Sequence, residues 1–158
     1  MSQTNYDEQA KAFDGLKGDI GPDRVISLAA EGAIPFGRAV AKGTVKEKQS
    51  KLPAAALDIT DIKRFRGVAL QSHANENPQN GLSPRYLDTN TVSILTRGTV
   101  YVKVEDAVDT DSGVFINFQN GDEGLFRSDA GGGDAAELAD ARWLEGAGAG
   151  EFALLELL

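Results

Sequence analysis

Cysteine is absent from this chain, and histidine, tryptophan and methionine occur once each. Without cysteine there is no disulfide framework and no thiolate ligand, and a lone histidine, His73, cannot complete a zinc site. A chain without disulfides suits assembly in a reducing cytoplasm. Long apolar runs are missing too. Nothing approaches the ~20 residues of a membrane-spanning helix, and the opening MSQTNYDEQAKAFDG lacks the apolar centre of a secretory leader. Positive charge is scarce and scattered, apart from Lys63-Arg64-Phe65-Arg66, which reads as a solvated turn. With a net charge of −8, that scatter speaks against a nucleic-acid surface. Aromatic residues make up only 7%, which leaves few platforms for stacking sugars or single-stranded bases.

What is present is β structure. A chain of 158 residues fits one domain that buries roughly two thirds of its surface. Its 18 glycines punctuate many short strands. The clearest period lies in residues 91–104, TVSILTRGTVYVKV. Val100, Val102 and Val104 alternate with Thr99, Tyr101 and Lys103, so the valines are expected inside and Lys103 outside. Gly98 interrupts the pattern. A two-residue hairpin at Arg97-Gly98 would force Arg97 to positive φ, so a bulge or sharp bend in one long central ribbon is expected.

Other strands are expected at residues 24–29 (Ile26 and Leu28 facing away from Val25 and Ser27), 36–41, 67–72, 114–118 and 151–158. Shorter strands are expected around Leu125-Phe126 and through Leu138, Trp143 and Leu144. A single helical turn fits residues 58–62. Residues 73–84 read as a loop, Asn120-Gly121 as a tight turn and residues 128–134 as a hairpin tip. Residues 1–22 are polar, with Tyr6, Phe13, Leu16 and Ile20 as spaced apolar points. They form either a loose terminus or an arm whose anchors dock on a neighbour.

Catalytic signatures do not emerge. No phosphate loop, nucleophile elbow or dinucleotide fingerprint occurs, and the glycines of residues 130–134 lack the lysine and helix of a phosphate site. Asp109 and Asp111 resemble the start of a calcium loop, but its twelfth position is Asn120 in place of the bidentate glutamate. An acidic turn between strands accounts for them. The 24 acidic residues give too many pairs to single out a glycosidase dyad. No catalytic, cofactor-binding or metal-binding residue is therefore assigned.

Taken in order, these segments resemble the structural cement (capsid decoration) proteins of tailed bacteriophages. The resemblance rests on Pro35-Phe36-Gly37-Arg38-Ala39-Val40, Gly67-Val68-Ala69-Leu70, Val92-Ser93-Ile94-Leu95 with Gly98 and Tyr101-Val102-Lys103-Val104, and Phe152-Ala153-Leu154-Leu155-Glu156-Leu157. It runs from about Leu16 to the end, and it departs from the family at residues 109–113, DTDSG, where a Gly-Asp turn is common. It implies a single all-β, barrel-like or β-clip-like domain over residues 23–158 with an extended arm over 1–22. The β-clip is shared with dUTP pyrophosphatases, whose nucleotide motifs are absent here. The implied role is non-catalytic, on the outer surface of the virion, with the major capsid protein as partner and a homo-oligomer, a trimer or else a dimer, as the acting unit. No cofactor, nucleic acid or membrane is implied, and Tyr6, Phe13, Leu16 and Ile20 become the candidate capsid or subunit contacts. The competing reading is a β-domain of a phage tail or fibre that grips a receptor or glycan.

Overall fold

The computed structural model describes residues 13–18, 21–72 and 84–158. In chain order these form β1 (Arg24–Ala30), β2 (Ile34–Pro35), β3 (Ala39–Lys42), β4 (Gln49–Lys51), α1 (Leu57–Thr60), β5 (Phe65–Ala69), β6 (Arg85–Tyr86), β7 (Thr91–Lys103), β8 (Phe115–Asn117), β9 (Phe126–Arg127), β10 (Ala135–Glu137), β11 (Ala141–Glu145) and β12 (Phe152–Leu157). The architecture is all-β.

β7 organises the rest. Its first half pairs with β1 and with β5, and β1, β4, β3, β5 and β7 close into a five-stranded barrel. The β1–β4 contact is parallel and the others are antiparallel. Beyond the barrel, the second half of β7 carries β12, which carries β11 in turn. A three-stranded sheet, β10-β8-β9, and a two-stranded ribbon, β2-β6, complete the fold.

Arg97-Gly98 is not a hairpin. The strand runs through it, and the irregularity is a bulge: Arg24 pairs with Arg97 and Val25 with Leu95, which leaves Thr96 as the extra residue. One extra residue exchanges the faces reached by odd and even positions. Val92 and Ile94 accordingly pack with Ala30, Ile34, Val40, Ala69 and Tyr86. Leu95, and then Val100, Val102 and Val104, pack with Val68, Ile116, Phe126, Trp143 and Leu155. The three valines are fully buried and Lys103 is exposed. Gly98 has φ +125, and a Cβ there would stand 2.8 Å from the Cβ of Asp23. β5 is buried on both faces by the same division, with Val68 in one core and Ala69 in the other.

Several local expectations are corrected. Phe36-Gly37 is a turn, with Gly37 at φ +76, so the strand begins at Ala39. Residues 128–134 are not a hairpin tip, because β9 and β10 lie on opposite edges of β8 and the segment crosses between them. Leu138, Trp143 and Leu144 do not share one strand: β10 ends at Glu137 and β11 begins at Ala141. Asn120 and Gly121, at φ +63 and +83, form the expected tight turn. The loop containing His73 lies outside the described residues.

Candidate interaction surface

Titratable groups cluster first around the junction of residues 14–18, β7 and β9. Glu105 accepts hydrogen bonds from Asn117 Nδ2 at 3.3 Å and lies 3.7 Å from the Arg127 guanidinium. Burial still pushes its carboxyl above the ordinary value, against the opposing pull of Asn117 and Arg127. Asp14 accepts from the backbone N–H of Lys103 at 3.2 Å, and burial raises it as well. Arg38 donates to the Glu123 carbonyl at 2.9 Å, and its own burial lowers its pKa despite nearby carboxylates. Asp106 receives both the N–H and the hydroxyl of Ser128, at 2.8 and 2.7 Å. These groups satisfy one another and tie loops to strands.

No set of three or more potential metal ligands comes together among the described residues. Asp109 turns its carboxylate onto the N–H of Asp111 at 2.8 Å and the hydroxyl of Ser112 at 3.2 Å, which closes its own turn.

Of the four apolar points expected to mark a contact surface, Tyr6 and Ile20 lie outside the described residues. Leu16 is half-buried, and its carbonyl accepts from Tyr101 N–H at 2.8 Å. Gly15 and Gly18 donate to the carbonyls of Tyr101 and Thr99, each at 3.0 Å. Residues 15–18 therefore continue the line of β1 along β7, on the domain's own sheet. Phe13 remains 55% exposed at the end of this line.

A concavity of about 690 Å³ lies elsewhere. It runs between the β1–β7 bulge, the α1–β5 turn and the end of β12. Ile26, Ile59, Phe65, Leu138 and Leu157 form its apolar lining, and Ile62 and Leu158 stand at its edge, 79% and 60% exposed. Three arginines, Arg24, Arg66 and Arg97, are among its lining residues. None makes an ion pair with a described residue, and Arg66 has only a 3.3 Å contact to the Lys63 carbonyl. Of the two side-chain carboxylates in the lining, Asp23 is held by Lys17 and Asp140 is not, and the last residue, Leu158, adds its α-carboxylate. A smaller hollow of about 240 Å³ adjoins it through Pro22, Asp23, Arg97 and Leu157.

Sequence reasoning did not find this groove, because its residues come from distant segments and each reads singly as an ordinary surface arginine or leucine. The one available signal was Lys63-Arg64-Phe65-Arg66, read as a solvated turn. Arg64 does pair there with Asp58 and Asp61, while Phe65 and Arg66 belong to the groove lining.

The family model described as "Structural cement protein (E217 gp24/Pam3 gp6)" matches residues 1–158. Among solved structures, a chain from the capsid of Myoviridae phage XM1 superposes with a TM-score of 0.72 at 19% identity, over 99% of this chain and 96% of that one. At that identity the likeness is one of fold. The head fiber gp8.5 N base of bacteriophage phi29 aligns at a TM-score of 0.45 and 9% identity, over 87% of this chain and 95% of that one. No curated protein matches.

Proposed function

This chain belongs to the phage structural cement protein family, and from that premise we propose how it acts. It docks on the outer surface of the assembled shell, at junctions between major capsid subunits, and holds them together without catalysing a reaction. The family match over residues 1–158 carries this reading. The alternative role on a tail or fibre gains nothing from that match.

A ligand that binds only the assembled, expanded lattice stabilises it by RT ln(1 + [L]/Kd), about 2.7 kcal/mol per site at a hundredfold excess over Kd. Summed over a shell, that resists the pressure of packaged DNA. The acting unit is a homo-oligomer, a trimer in preference to a dimer, assembled in the host cytoplasm. Residues 1–22 reach a neighbour through Tyr6, Phe13 and Ile20, with the half-buried side chain of Leu16 at the point where the arm leaves the domain's own sheet, and linking several such arms offsets the entropy of ordering each. The exposure of Phe13 beside a strand-paired Leu16 supports a contact that starts where the domain's own sheet stops.

The test is decoration. Purified protein is mixed with expanded capsids that lack it, and the shells are imaged by electron cryomicroscopy. Density for this chain bridging adjacent capsid subunits is the expected result, and shells that stay bare at micromolar protein would defeat the reading. The same images give the number of copies at each junction.

A further inference from the structure

We propose that the groove bordered by Arg24, Arg66 and Arg97 receives an acidic segment of the capsid subunit whose apolar side chains seat between Ile62 and Leu158. The proposal rests on the cement reading, and it names the binding surface and the chemistry of what it binds.

Three observations carry it. First, Arg24 and Arg97 are direct cross-strand partners at the bulge and border the same groove. Like charges placed opposite each other on a β pair are destabilising, and any neutral residue at either position would relieve the repulsion. Neither arginine forms an ion pair with a carboxylate of a described residue. Second, the groove lining sets three arginines against the side-chain carboxylate of Asp140 and the α-carboxylate of Leu158, which leaves a positive surplus on a chain whose net charge is −8. A local positive site on a negative protein orients its approach to a negative partner. Third, the groove is apolar beneath its charged border, with Ile62 and Leu158 more exposed than large aliphatic side chains usually are. Guanidiniums bind carboxylates bidentately, and an apolar floor rewards the aliphatic neighbours of those carboxylates. Nucleic acid fits less well, since three guanidiniums over an apolar floor make no phosphate track.

The experiment compares full-length protein with the Arg24→Gln/Arg97→Gln double variant and with Arg66→Gln alone, each binding capsids that lack this protein. The double variant should keep the parent's melting temperature or exceed it, while its Kd rises by about tenfold or more. Arg66→Gln, which leaves the strand pair untouched, should weaken binding in the same direction. Poly-L-glutamate should compete with the parent for capsids, and poly-L-lysine should not. Parent-like affinity in both variants overturns the groove and leaves the cement reading standing. Bare capsids with the parent protein overturn both. Binding of duplex DNA by the parent, abolished in the double variant, overturns the acidic-segment assignment.

Discussion

Tyr86 donates its phenolic hydrogen to the carbonyl of Leu70 across 2.6 Å, and both residues are buried. The ring also meets Phe36 edge-on, with centroids 5.1 Å apart. The β2–β6 ribbon has only two residue pairs, so this bond and this ring fasten it to the end of β5. Tyr86→Phe keeps the ring and leaves a buried carbonyl without a partner, at a cost of about 1–3 kcal/mol. Chemical denaturation should show that loss, and hydrogen exchange should show β6 opening before β7.

Val102→Asp should abolish folding. The position is fully buried between β12 and the Trp143 core, and no cation lies there to receive a carboxylate. The penalty, about 4 kcal/mol or more, is a large share of a domain's whole stability. A cooperative melt near the parent's temperature would show that β7 does not hold the core.

Acid pH should stabilise this protein through Asp14 and Glu105. Both carboxyls are raised in the folded state, primarily by burial. Between the unfolded and folded pKa values the native chain keeps protons that the unfolded chain has released, so stability falls as pH rises through that window. Asp14→Asn preserves an acceptor for the Lys103 N–H and removes the ionisation. Its stability should decline less with rising pH than the parent's, measured by urea denaturation across a pH series. Glu31, lowered by its bonds from Thr44, pulls the opposite way. The difference between variant and parent is therefore the quantity to read, and identical slopes would count against a buried charge at Asp14.

Deleting residues 1–12 and deleting residues 1–22 should have different effects. The shorter deletion spares the bonds from Gly15 and Gly18 to β7 and from Tyr101 to Leu16, so the melting temperature should hold. The longer one strips that edge of the strand, and the domain should lose stability as well as any contact made by the arm. Equal melting temperatures for both truncations would mean that residues 13–18 add nothing to the sheet.

The sequence revealed the elements with a strong local period. Val100, Val102 and Val104 alternate over enough residues that only one face can be inward, and β12 repeats the pattern in Ala153, Leu155 and Leu157. The exchange of faces at Thr96 was hidden, because a bulge is defined by its partner strand and β1 is far away in the chain. Gly98 marked the place but not the consequence. The two-residue strands β2 and β6 are too short to show any period, and β9, equally short, is legible only because Leu125-Phe126 follows the Asn120-Gly121 turn. The groove was illegible for a different reason: Arg24, Arg66 and Arg97 become a cluster only when β1, β5 and β7 are paired, and single arginines on strands carry no signature.

β7 has a neighbour on each edge over most of its length, residues 15–18 and β1 on one side, β5 and β12 on the other. Under tension along the strand axis those ladders are sheared, and their hydrogen bonds share the force and must yield together. Under tension across the axis they peel, one bond after another, at far smaller force. The protein's mechanical strength thus depends on the direction of the pull, and a fastener built this way holds best when the strain in its surroundings runs parallel to β7.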